Sequence, residues 1–205
     1  QVKLVAVSKT HSNEKILQLY EQGQRDFGEN KVQELTDKYE SLPKDIHWHF
    51  IGHLQTNKVK YIAPFIHLIH SVDSRKVHKE INKRALQNER VIDVLLQFKI
   101  AEEDSKYGLT SAEDEQIAQE DAEVMKGIRI VGVMGMATFT DDESQVRQEF
   151  RRLKSIFDQL KNDYFSNDLH FREISMGMSG DYAIAVEEGS TMVRIGSLLF
   201  GNRNY

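Results

Sequence analysis

Apolar positions gather into eight short runs, with longer amphipathic stretches between them. The runs are Val2–Lys9, Arg25–Gly28, His47–Gly52, Ile66–Val72, Val91–Ile100, Ile128–Met134, Leu169–Ile174 and Thr191–Ile195. Leu4–Val7 and Val94–Leu96 are apolar without alternation, the pattern of parallel strands covered on both faces. In the intervening stretches, apolar residues recur at three- and four-residue steps, which predicts helices. The first helix runs from Asn13 to about Gln22, with Ser12 as its N-cap and Gly23 as its stop. Val32, Leu35, Tyr39 and Leu42 share one face of the second helix, and the third lies near Thr56–Ile62. The fourth starts near Ser74 and carries Val77, Ile81 and Ala85. A fifth opens at Ser111, with Asp114 completing a capping box, and closes at Gly127. Val146, Phe150, Leu153, Phe157 and Leu160 line a long sixth helix, and Tyr182–Glu187 forms the seventh. A helix after each of the first seven strands suits either an open doubly wound sheet or a closed barrel, and eight strands favour the barrel. The expected fold is α/β, a (β/α)8 TIM barrel forming a single domain over residues 1–205.

Composition narrows the function. The chain has 205 residues, two prolines, no cysteine and a formal net charge of −5. The absence of cysteine excludes disulfides, thiolate metal sites and a cysteine nucleophile, and it suits a reducing compartment. Mild acidity provides no footprint for nucleic acid. No apolar run reaches the ~20 residues of a membrane helix, and the chain opens on a strand rather than a signal peptide. The expectation is a cytoplasmic monomer with neither nucleic acid nor membrane as a partner.

In such a barrel, chemistry sits where strands end and loops begin. Lys9 ends the first run, on the pleat face of Val5 and Val7. It is either a solvated strand-end lysine or an amine at the barrel mouth. Partial desolvation lowers a lysine's pKa, and the free amine can then form a Schiff base with an aldehyde. Ser175-Met-Gly-Met-Ser-Gly180 and Arg194-Ile-Gly-Ser197 end the last two strands, where barrels often bind phosphate. Glycine admits backbone amides to an anion, and serine hydroxyls donate to it. Ser179 is expected to open the helix after the seventh strand, and Gly196 and Ser197 the final turn. Both segments also read as ordinary tight turns. Arg194, between Val193 and Ile195, needs an acceptor, which is either a structural ion pair or a ligand. His47, His49 and His53 resemble metal spacing, but no matched carboxylate or cysteine accompanies them, so no metal is assigned. Gly177-Met-Ser-Gly180 is one residue short of a nucleophile elbow, and phosphate-loop and dinucleotide fingerprints are lacking.

Six segments occur in order along the chain. They are Val5-Ala-Val-Ser-Lys-Thr10, Phe27-Gly-Glu-Asn30 with Val32-Gln-Glu34, Trp48-His-Phe-Ile-Gly52, Leu54-Gln-Thr-Asn-Lys58, Ser175-Met-Gly-Met-Ser179 and Gly189-Ser-Thr-Met-Val-Arg-Ile-Gly196. Together they closely resemble the pyridoxal-phosphate homeostasis family. The resemblance implies a barrel like the N-terminal domain of alanine racemase, with pyridoxal 5′-phosphate held on Lys9. It implies phosphate contacts from Ser179, Gly196 and Ser197, and Arg194 opposite the pyridine nitrogen. Asn30 falls at a family position near the cofactor. Relatives usually carry a helix before the first strand, and that helix is expected to be missing here. His53 and His11 stand where many relatives have proline.

An arginine beside the ring nitrogen only donates, so it disfavours protonation of that nitrogen and weakens the electron sink. Racemases of this class add a tyrosine from a second domain, which is expected to be missing here. The expected function is therefore non-catalytic cofactor homeostasis, with dependent apoenzymes as recipients. The competing readings are an amino-acid racemase and a sugar-phosphate enzyme that uses Lys9.

Overall fold

In the computed structural model, the described residues are 1–102, 108–109, 113, 116–118 and 124–201. Eight parallel strands are formed by the apolar runs: β1 Lys3–Val7, β2 Asp26–Glu29, β3 His47–Phe50, β4 Leu68–Val72, β5 Ile92–Gln97, β6 Ile128–Met134, β7 Glu173–Ser175 and β8 Met192–Ile195. Each pairs with the next, and β8 returns to β1 in the register Lys3↔Met192 to Ala6↔Ile195, so the sheet closes into a barrel. Closure leaves no unpaired edge.

Strand parity splits the apolar side chains into two layers. Ala6, Phe27, Trp48, Phe50, Ile69, Val94 and Ile130 face outward and pack beneath the helices. Val5, Leu68, Leu95, Val131, Met134 and Met192 form a smaller cluster inside the barrel. The rest of the interior carries polar side chains, His49, His70, Ser175 and Arg194 among them, all buried.

Three of the helices begin at side-chain caps that satisfy some of their first N–H groups. Ser12 Oγ accepts from Lys15 N at 3.4 Å ahead of α1, Asn13–Glu21. Ser74 Oγ accepts from Val77 N at 3.3 Å ahead of α4, Arg75–Gln87. Asp142 accepts from Ser144 N and Gln145 N at 3.0 and 3.2 Å ahead of α5, Glu143–Asp163. Between them lie α2, Val32–Ser41, and α3, Val59–Ile62. The chain finishes with α6, Tyr182–Glu187, and α7, Ser197–Phe200.

The third expected helix divides into a 3₁₀ turn, Thr56–Lys58, and the single turn of α3. The helix expected to open at Ser111 starts on residues outside the described ones. Strand β7 is shorter than the run Leu169–Ile174, and Leu169 is 86% exposed. The Asp168 carboxylate accepts from His170 N at 2.8 Å, and the Asp168 carbonyl accepts from the Lys161 amine. This local turn holds Leu169 outside the sheet despite its apolar side chain. Among the described residues, no helix is long and apolar enough to cross a membrane.

Strands β5 and β6 meet at a bulge, because Val94 pairs with Ile130 while Leu95 pairs with Gly132. Val131 is the extra residue. Gly132 has φ +155°, and a Cβ there would lie 1.8 Å from the Glu173 carbonyl oxygen of β7. Replacing Gly132 by alanine is therefore expected to cost at least about 2 kcal/mol, since backbone must move at the β6–β7 seam. A fall in the urea unfolding midpoint checks this.

Candidate functional site

At the C-terminal ends of the strands lies a cavity of about 800 Å³. Lys9, Asn30, Ser179, Arg194, Gly196 and Ser197, the residues singled out from the sequence, all line it. Gln97, Met136, Thr138 and Asp181, to which the sequence assigns no role, line it as well, as does His53.

Lys9 follows β1 on the inward-facing parity of Val5 and Val7, and its side chain is half-buried. Its position is held from behind. Ser8 is buried, and its hydroxyl donates to Glu29 Oε1 at 2.6 Å. The Lys38 amine of α2 donates to the Ser8 carbonyl, to Glu29 Oε1 and to Glu34 Oε1 at 2.8, 2.7 and 2.7 Å. On the other side of Lys9, Thr10 has φ +67°, a region that non-glycine residues rarely enter. Its N–H donates to Glu34 Oε1 at 2.6 Å, which compensates that strain. Burial pushes the Glu29 carboxyl above its ordinary range, against the pull of Lys38.

Arg194 is 3% exposed and points inward from β8. It donates to Ser175 Oγ at 2.6 Å and to the Gly135 carbonyl at 3.2 Å. No carboxylate pairs with it among the described residues, so the ion-pair reading of this arginine gives way to neutral acceptors. Desolvation lowers its pKa to about 10, which still leaves it charged at neutral pH.

Behind Arg194, hydrogen bonds continue through the barrel. Ser175 Oγ meets His70 Nδ1 at 2.9 Å, His70 Nε2 meets His49 Nδ1 at 2.8 Å, and His49 Nε2 meets Asp26 Oδ1 at 2.8 Å. Arginine only donates and a carboxylate only accepts, so the two ends set every direction. Ser175 donates to His70, His70 to His49, and His49 to Asp26. Burial pushes both imidazoles below their usual pKa, which keeps them neutral as this pattern requires. Burial alone would raise Asp26, but the hydrogen bond from His49 and the nearby Lys3 ammonium outweigh it and leave the carboxyl below its usual value. Ser175 stood in the sequence as part of a loop motif. In the structure it is the last residue of β7, facing inward.

The wall beside Arg194 is built by two loops. Ser179 does not cap α6, because Asp181 occupies that place and its Oδ1 accepts from Met178 N at 2.7 Å. Ser179 Oγ instead accepts from Gly196 N at 3.3 Å, joining the β7 and β8 loops. Gly177 has φ +100°, and its carbonyl accepts from Arg194 N at 2.9 Å. Opposite, the Glu149 carboxylate of α5 accepts from Thr138 N and Thr138 Oγ1 at 2.6 and 2.7 Å, fixing the loop after β6.

The three histidines of suggestive spacing do not converge. His53 lies at the cavity mouth, with Nδ1 3.0 Å from Asp73 Oδ2. His47 and His49 lie toward the opposite end of the barrel, beside Asp26.

This barrel and mouth define a class, that of the alanine racemase N-terminal domain, whose family profile matches residues 1–204. A protein from Aquifex aeolicus named pyridoxal phosphate homeostasis protein is 41% identical, covering 99% of this chain and 88% of its own. One of the same name from Schizosaccharomyces pombe is 35% identical, covering 98% and 84%. The solved structure of PipY from Synechococcus elongatus, described as having PLP bound, superposes with a TM-score of 0.85 at 32% identity, covering 98% of this chain and 92% of that one. The chain belongs to the pyridoxal phosphate homeostasis proteins. Alanine racemase from Bartonella henselae, at 15% identity and a TM-score of 0.73, shares the fold and is covered over 59% of its length.

Lys38 is the group on which the Lys9 turn rests. Replacing it by methionine strands buried acceptors and is expected to cost about 3–5 kcal/mol in denaturant unfolding. Adding Glu29→Gln to that variant should recover part of the loss.

Proposed function

We propose that this protein binds pyridoxal 5′-phosphate in the mouth cavity through Lys9, and that it serves in the homeostasis of this vitamin B6 cofactor. The observation that carries this reading is the convergence of an amine, a buried guanidinium and two serine–glycine loops on one cavity. The residues fit the group. Lys9 offers a primary amine, and Arg194 offers donors whose hydrogen-bond acceptors here are neutral. A Cβ at Gly180 would meet nothing within 4 Å, so that loop borders open space. When bound, the cofactor supplies an aldehyde that a lysine amine takes up as a Schiff base with loss of water.

In this reading Lys9 is the anchor. Ser179 and Ser197 donate hydroxyls to the phosphate, Gly196 lets backbone approach it, and Asn30 lies along the ring side. Arg194 donates toward the pyridine nitrogen. Because a guanidinium cannot accept, it disfavours a proton on that nitrogen. That limits carbanion chemistry and favours a holding role over turnover. The names of the curated relatives support the same role. Lys9 is half-buried, and Leu198 and Phe139 are exposed at the rim, so a ligand has a path in and out. The protein would work as a cytoplasmic monomer that passes cofactor to dependent apoenzymes.

Borohydride treatment of cofactor-loaded protein should bleach the absorbance band of the bound cofactor and leave a pyridoxyl group on Lys9 by mass mapping. The Lys9→Ala variant should form no such adduct, and an adduct on another lysine would relocate the anchor. Steady turnover in a panel of D- and L-amino acids would replace homeostasis with catalysis. Ser179→Ala should weaken cofactor retention by about 1–3 kcal/mol, the loss of a charge-assisted hydrogen bond, measured by equilibrium dialysis.

A further inference from the structure

The N-terminal ends of β2, β3 and β4 gather a second group of side chains, at the other end of the barrel from the cavity. Asp26 opens β2, His47 opens β3 with His49 two residues on, and His67 immediately precedes β4. The strand register aligns them: Asp26 pairs with His47, and His49 pairs with Leu68, the residue after His67. Asp26, His49 and His67 each direct one ligand-type atom into a common space, and these atoms all lie within 4.8 Å of one another. His47 is close by, with Nδ1 3.6 Å from Asp26 Oδ1 and its ring stacked on His67 at a centroid distance of 4.5 Å.

The hydrogen-bond chain to Arg194 needs only Asp26 and His49 from this group. It leaves unexplained why two further imidazoles converge on the same carboxylate. Two imidazoles and one carboxylate suit a borderline divalent ion, and a tetrahedral site with three protein ligands keeps its fourth position for water. The ligands sit on adjacent paired strands, so little backbone freedom is lost when they close on an ion.

We propose that Asp26, His49 and His67 form a binding site for one zinc-type divalent transition-metal ion, with a water molecule as the fourth ligand. His49 would bind through Nε2, the nitrogen that faces Asp26. Binding would turn the interior file around: the single proton of His49 moves to Nδ1 and donates to His70 Nε2, 2.8 Å away, and His70 donates from Nδ1 to Ser175 Oγ, which also accepts from Arg194. A ligating histidine commonly has such an outer partner, which fixes its ring. The charges facing the site are Asp26 itself and the amine of Lys3. Lys3 is an exposed side chain at the start of β1, so it opposes the ion through solvent.

The test needs no cofactor, so its outcome is independent of the reading of the mouth cavity. Untagged full-length chain is titrated with Co2+, followed by visible absorption, and with Zn2+, followed by calorimetry. One ion per chain is expected, with the intense visible bands of a four-coordinate cobalt site. His67→Ala and Asp26→Asn should each weaken binding by more than about 10-fold, the least that even an outer-partner loss produces. Both substitutions change side chains that reach solvent, and His170→Ala, an exposed histidine elsewhere, should change nothing. Zn2+ should also raise the thermal midpoint of the parent chain and not that of His67→Ala, since only the folded site binds. Absence of saturable binding would overturn the proposal, as would affinity retained in both site variants or lost in His170→Ala.

Discussion

One buried cation ties together the parts of this barrel that bear on its mouth. Lys38 is 5% exposed, and its amine reaches the end of β1 through the Ser8 carbonyl, the end of β2 through Glu29, and its own helix through Glu34. Removing an ammonium from water costs several kcal/mol unless good acceptors replace the solvent. Here three acceptors do so, and each belongs to a segment that must be correctly placed. Glu34 then has a second task, accepting from the strained Thr10 N–H. The position of Lys9 is thus a consequence of packing α2 against two strand ends. A change in α2 can disturb the mouth without touching it.

The barrel interior follows a different rule from the layer outside it. Outside, aromatic and branched residues such as Phe27, Trp48, Phe150 and Ile81 fill the space between sheet and helices. Inside, the apolar cluster is small, and a hydrogen-bonded file of Arg194, Ser175, His70, His49 and Asp26 runs beside it. Every link is satisfied, which a buried polar file requires if it is to order the core rather than loosen it.

Much of the architecture was legible in the sequence, because periodicity reports which face of an element is buried. Strand β6 spans Ile128–Met134 as the apolar run does, and Ser12 and Ser74 cap the helices they precede. Leu169 misled because hydrophobicity alone cannot show that Asp168 makes a local turn first. The six mouth residues were legible as strand-end groups, although Ser179 joins two loops where a helix cap was expected. Lys38 was not legible. A lysine in an amphipathic helix reads as solvated, and only barrel closure brings a strand-end carbonyl to it. The grouping of the histidines was not legible for a related reason. Spacing along one strand paired His53 with His47 and His49, whereas lateral strand register brings Asp26 and His67 to His49.

The direction of the interior file also bears on what the mouth can do. Donation runs from Arg194 to Asp26, so the guanidinium meets acceptor dipoles and, four links away, a carboxylate. That arrangement keeps the cation without a hydrogen-bonded counter-charge, and its pKa of about 10 reflects a desolvation that the charge of Asp181 only partly offsets. A carboxylate next to Arg194 would have neutralised it and offered an acceptor at the cavity floor. Neutral acceptors leave a floor that is positively charged and purely donating. Such a floor favours ligands presenting an electron pair there and resists protonating them. The same geometry that makes the arginine tolerable to the core therefore selects the chemistry of the site above it.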